Sequence, residues 1–215
     1  MNPDQSVDTD TDLIHWQPVA RAPDLPPDAL HLWLIHADGP GAGLAAELEN
    51  CLAVLGEPQR RRAQAMIHPG PRTRYIRAQA GLRRILGSYL GASPPALEFV
   101  LGPAGKPALA PGPGRRDARL AFNLTTAGDL ALLAISGGAE VGIDCEWVRP
   151  RRNLLGMARR MFSPEQAHAL ELASAAGQLD LFYRAWTALE ADAKADGRGL
   201  FRPRAPEAHP PEVRH

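Results

Sequence analysis

Apolar positions along the chain follow two periods, one of about two residues and one of about three and a half, and each marks a different element. ALHLWLIHA, residues 29–37, reads as a strand. After a GPGAG turn, LAAELENCLAVL repeats its apolar residues at helical spacing. YIRAQAGLRRILGSYLG does so more strongly, with Ile76, Leu82, Ile85, Leu86, Tyr89 and Leu90 on one face and Gly91 placed as a C-cap. ALEFVLG and ARLAFNL predict strands flanking the Pro/Gly-rich loop GKPALAPGPGRRD. DLALLAISGGAEVGIDCEW predicts a hairpin turning at Gly137 and Gly138. SPEQ, residues 163–166, resembles a capping box opening a helix, and LDLFYRAWTALEADAKA predicts the last one. The order strand, helices, strands, hairpin, helices predicts an α+β protein whose two halves are alike in content. The expected divisions are a loose lead-in over 1–28, a first lobe over 29–125, a second over 126–201, and a Pro-rich disordered tail over 202–215.

Composition narrows the setting. The 215 residues are 45% apolar, enough for one sizeable core or two small lobes sharing one. Lys plus Arg and Asp plus Glu each total 24, so no net charge drives indiscriminate binding to nucleic acid or membrane. Cys51 and Cys145 lie far apart, and Cys145 alternates with Ile143 and Val141, which reads as a buried thiol in a reducing compartment. The acidic, polar start of the sequence and the lack of a long apolar run lead to the expectation of a cytoplasmic protein. Four histidines, His15, His31, His36 and His68, show no spacing that would support zinc.

Candidate chemistry begins at VGIDCEW, residues 141–147. On a strand, Val141, Ile143 and Cys145 would face a core, leaving Asp144 and Glu146 on the other face about 7 Å apart. Two such carboxylates suit Mg²⁺, which takes oxygen ligands and usually needs one or two protein carboxylates beside substrate phosphates. A solvated edge-strand face is the alternative. In the last helix Trp186, Glu190 and Lys194 are spaced i, i+4, i+8 and form one row. An ordinary helical ion pair between Glu190 and Lys194 explains that spacing equally well. Lysine is scarce: the 24 basic residues include two, Lys106 and Lys194, and both fall inside these candidate motifs. A compact ammonium is retained most easily where a planar guanidinium would not serve.

Together, VGIDCEW and FYRAWTALEADAKADGRGL resemble the two signature motifs of the 4′-phosphopantetheinyl transferases in their larger two-lobed form. GKPAL, FNLTTAGDLALLA and RTRYIRAQAGLRRILGSYL resemble further segments of that family in the same order, so the resemblance covers about residues 29–201. It implies a fold of two α+β lobes with the active site in the cleft. It also implies transfer of the phosphopantetheine arm of coenzyme A to a serine of an apo acyl or peptidyl carrier protein, with release of 3′,5′-ADP. By the same resemblance Asp144, Glu146 and Glu190 would hold Mg²⁺, and Lys194 would lie against the pyrophosphate. Arg74 and Lys106 would touch the nucleotide end of coenzyme A, and the remaining arginines of that helix read as a solvated face.

Four departures from the family pattern bear on catalysis. Thr125 and Thr126 stand where the family usually has a hydroxyl residue followed by a histidine on the 3′-phosphate; a hydroxyl donates one hydrogen bond but carries no positive charge. Leu189 replaces a lysine before the helix glutamate, and packing with Phe182 and Trp186 explains it. MFSPEQ puts Gln166 at an acidic position, so a general base there must be Glu165 or a metal-bound water. The chain also offers few residues after the last motif, so the second lobe is expected to be incomplete, as a monomer or with a dimer partner covering it. The rival reading is an impaired relative that keeps a carrier-binding surface.

Overall fold

The structure is a computed structural model that describes residues 16–38, 44–102, 104–111, 120–197 and 199. The GPGAG turn, the first fifteen residues and the tail from residue 200 lie outside the described residues, as does most of the loop after Pro111. The expected first strand is β1 (Leu30–His36). Three helices follow: α1 (Leu44–Ala53), α2 (Glu57–Ala65) and α3 (Pro69–Leu90). Next come a short 3-10 turn at Pro94–Ala96, β2 (Phe99–Leu101), β3 (Pro107–Leu109), β4 (Ala121–Ala127) and β5 (Leu130–Ser136). The described part ends with α4 (Leu154–Met161), α5 (Pro164–Leu172) and α6 (Ala175–Ala195). This mixture of helix and sheet matches the α+β expectation.

The main sheet has the antiparallel order β1-β5-β4, with Leu34 opposite Leu132 and Leu132 opposite Thr125. Its register sorts the side chains by face. Phe122, Leu133 and Ile135 point to one side and pack with Leu82 and Leu86 of α3, all nearly solvent-free. Asn123, Thr125 and Ala134 point to the other side. The boundary expected between residues 125 and 126 falls inside β4, and β5 pairs with both flanking strands. A second cluster, Leu154, Ala158, Leu170, Phe182, Tyr183 and Trp186, joins α4, α5 and α6.

Several local expectations hold for identifiable reasons. Gly91 ends α3 in the left-handed region at φ 58°. Ser163 and Gln166 form the reciprocal capping box of α5, with hydrogen bonds of 3.2 and 3.1 Å. The expected hairpin at Gly137–Gly138 is corrected. The hairpin instead joins β4 and β5 through Gly128 and Asp129, with Gly128 at φ 58°. Gly137 and Gly138 are needed because the backbone of Pro26 and Pro27 passes beside them: an added Cβ would lie 2.6 Å from the Pro26 carbonyl oxygen and 2.9 Å from that of Pro27. Residues 139–150 leave the sheet without forming a strand. The solvated arginine face of α3 is corrected in part: Arg84 is exposed as expected, whereas Arg77 and Arg83 are buried. Arg83 is 3% exposed, donating to the carbonyls of Pro94 (2.8 Å) and Leu97 (3.0 Å) and stacking over Phe99, and Arg77 is buried and paired with Glu47 at 2.9 Å.

Candidate active site

The acidic segment has no ladder of its own, yet it is held on three sides. On the sheet side, Asn123 Oδ1 accepts the Ile143 N–H at 2.9 Å, and the Thr125 hydroxyl donates to Asp144 Oδ1 at 3.1 Å. On the helix side, Gly142 lies against α6 so closely that a Cβ would overlap the Ala191 carbonyl oxygen and the Ala195 amide nitrogen. Lys106, beside the β2–β3 hairpin, donates to Val141 O at 3.1 Å. The expected alternation therefore changes. Asp144, placed on the polar face by strand reasoning, has a side chain only 4% exposed, and Ile143 and Cys145 are half-buried. Burial pushes the Cys145 thiol up, against a hydrogen bond with Thr125 that lowers it.

From the helix side, the i, i+4, i+8 row places its polar members at that segment. Lys194 Nζ donates to Asp144 Oδ1 and lies 3.5 Å from Glu190 Oε2. One ammonium thus bridges an acid from the irregular segment and an acid from α6, residues 46 positions apart in the chain. Asp144 Oδ2 is buried and has no hydrogen-bond partner. Leaving such an atom unsatisfied costs about 1–3 kcal/mol, more for a charged group. A cavity of about 290 Å³ opens beside the cluster, with Lys106, Asn123, Glu190 and Lys194 in its walls.

Glu146 goes elsewhere. It sits 3.6 Å from Arg151 Nη2. The Arg151 guanidinium lies 5.4–5.7 Å from the ring centres of Phe182, Tyr183 and Trp186, and its Nε donates to the Tyr183 hydroxyl at 3.1 Å. Among the described residues, no three His, Cys, Asp or Glu side chains gather as a metal-holding group. The donors that do converge still suit a hard divalent ion. Two carboxylates meet there, one presenting an unpartnered buried oxygen, and Mg²⁺ is commonly held by one or two carboxylates plus substrate phosphates.

The remaining sequence candidates are dispersed. Arg74 on α3 pairs with Asp38 at 3.5 Å. Thr126 is exposed on the face of β4 opposite Thr125. Glu165, on the first turn of α5, is exposed and touches neither Asp144 nor Glu190; the Ser163 hydroxyl and its own backbone amide hold its carboxyl below the usual range. Gln166 is occupied by the capping box, and Leu189 is half-buried on α6. Sequence reasoning passed over Asn123 and Arg151. Asn123 carried one usable signal, a polar side chain within an apolar strand. Arg151 carried none, being one of three arginines in the run RPRR.

Comparison with known proteins agrees with these motifs. Residues 140–208 match a family model described as the 4′-phosphopantetheinyl transferase superfamily. The chain is 34% identical over 185 residues to the 4′-phosphopantetheinyl transferase HetI of a Nostoc species, covering 86% of this chain and 76% of that protein. It is 30% identical over 169 residues to a putative 4′-phosphopantetheinyl transferase of a Synechocystis species, covering 79% and 65% respectively. Against the 4′-phosphopantetheinyl transferase AcpT of Escherichia coli K12 the identity is 36% over 115 residues, 54% of this chain and 55% of the relative.

Proposed function

The chain belongs to the 4′-phosphopantetheinyl transferase superfamily, and from that premise we propose that it moves the phosphopantetheine arm of coenzyme A onto a serine of an apo carrier protein, in the cytoplasm and with Mg²⁺. In this reaction the serine oxygen forms a bond to the β-phosphorus of coenzyme A. The bond from that phosphorus to the bridging oxygen breaks, and 3′,5′-ADP leaves carrying the electron pair. The serine proton passes to a base. Little covalent chemistry falls to the protein, so its residues act by positioning and charge neutralisation.

The observation that carries this reading is that Lys194 bridges the buried Asp144 and Glu190, with Glu190 and Lys194 in the wall of a cavity. Asp144 and Glu190 would hold Mg²⁺, with Glu146 as the third acid of the family pattern once released from Arg151. When bound, that ion supplies Lewis-acid polarisation of phosphate oxygens. Lys194, freed from Asp144, presents an ammonium to the pyrophosphate. Thr125 keeps Asp144 oriented by its hydroxyl. Arg74 and Thr126 are assigned to the phosphates at the nucleotide end. For proton acceptance, the position of Glu190 on the cavity wall supports it over Glu165, which is exposed at the start of a different helix.

The test is incubation with coenzyme A, Mg²⁺ and several apo carrier proteins, with each carrier weighed by mass spectrometry. One added arm on the serine of at least one carrier is expected. Asp144→Ala should abolish it, because the buried hydroxyl, ammonium and metal partners then lose their common acceptor. A carrier set that gains no arm, with calorimetry showing no coenzyme A binding, defeats the enzyme and leaves the carrier-binding relative. Full activity in the Asp144→Ala variant defeats the metal assignment.

A further inference from the structure

Lys106 is the second of the two lysines, and its surroundings differ from those of a ligand-facing cation. Its side chain is 15% exposed. The ammonium donates to Glu140 Oε2 at 2.6 Å, to Val141 O at 3.1 Å and to Ala195 O at 2.9 Å. An ammonium has three N–H donors, so all three are engaged. Two of the acceptors lie on the acidic segment, just before Gly142 and Asp144. The third is the carbonyl next to Lys194 at the end of α6. Ala195 O is among the last four carbonyls of that helix, which have no intrahelical donor and favour a cation.

We propose that Lys106 is a positioning residue. From a third element, the β2–β3 hairpin, it sets the separation between Asp144 and the Glu190–Lys194 pair, and it acts on transfer through that separation and not by touching coenzyme A. The anchoring is local and mutual. The Lys106 carbonyl accepts the Gly102 N–H at 2.8 Å, so the lysine backbone is fixed to its hairpin. Its ammonium then pins the segment where Gly142 crosses α6. Three acceptors, from a side chain, a loop carbonyl and a helix end, converge on one nitrogen, which suits a compact ammonium; a guanidinium spreads its donors over three nitrogens in a plane.

This inference rests on the transferase reading, and the test separates the two. Lys106→Met should lower kcat about ten-fold or more while the KM for coenzyme A stays within about three-fold of wild type. Lys106→Arg should not restore kcat. A KM rising about ten-fold with kcat retained would place Lys106 on coenzyme A and overturn the proposal. Unchanged kinetics, or an arginine variant with wild-type kcat, overturn it as well. An activity-independent readout uses the lysine count: either variant leaves Lys194 as the lone lysine. Its acetylation rate, followed by mass spectrometry, should rise at least about three-fold as the Asp144 partnership loosens. An unchanged Lys194 rate sinks the positioning role whether or not the chain transfers an arm. The arginine variant serves if the methionine variant does not fold. Failure of the wild-type chain to transfer any arm counts against the transferase reading alone.

Discussion

Gly142→Ala tests whether the active-site geometry depends on how closely the acidic segment crosses α6. The added Cβ would overlap the Ala191 carbonyl oxygen and the Ala195 amide nitrogen, and it would lie 2.9 Å from the Ala191 carbonyl carbon. Comfortable carbon–carbon contact begins near 3.5–4.0 Å, so the segment must retreat by about 1 Å. The obstacle is helix backbone, which cannot swing aside as a side chain can. Overpacking of this kind costs about 1–3 kcal/mol, and for a chain of this length about 2 kcal/mol lowers Tm by roughly 4–8 °C. The catalytic effect should be larger. Asp144 is two residues on, and a displacement near 1 Å between reacting groups costs on the order of 100-fold in rate. Transfer to an apo carrier and thermal unfolding, followed on the same preparation, measure both. A variant within three-fold of wild-type kcat and about 1 °C of its Tm would show that the close crossing has no bearing on the site.

Three further substitutions probe the supports around it. Thr125→Val keeps the shape and removes a buried hydroxyl bonded to Asp144 at 3.1 Å; we expect a loss of about 1–2 kcal/mol of stability by chemical denaturation and a lower kcat, and no change in either would contradict the role of the hydroxyl. Arg151→Met releases Glu146 and the three-ring stack; with the guanidinium partly exposed, a loss of about 1 kcal/mol is expected, together with an altered Mg²⁺ dependence of transfer, and an identical Mg²⁺ titration would argue against any link from Arg151 to the acids. Glu171, on α5, pairs with Arg159 of α4 at 2.7 Å, and that hydrogen bond and charge hold its carboxyl below the usual carboxylate range. Its contribution is therefore present above the unfolded pKa of about 4.3 and lost as pH falls through the lower folded value. The Tm–pH profile of Glu171→Gln should lose that acid-side slope, and profiles that superimpose would refute the pairing.

Much of the local structure was legible because it is written in short-range chemistry. The alternation of LHLWLIH, the 3.6-residue period of α3, Gly91 after its last turn and the SPEQ cap each depend on residues within a few positions of one another. The two acidic motifs were legible as chemistry for the same reason. Tertiary structure decided where they meet. Only the close approach of Gly142 to α6, the side-chain grip of Asn123 and Thr125, and the three-way anchor of Lys106 place Asp144 beside Glu190 and Lys194. Alternation also misled where the partner strand was absent. Period two assigns faces only to a strand held in a ladder, and residues 139–150 take their orientation from distant side chains instead. The same limit hid Arg151, whose significance lies in three rings of a helix some thirty residues away, a relation of distance in space that no local pattern encodes.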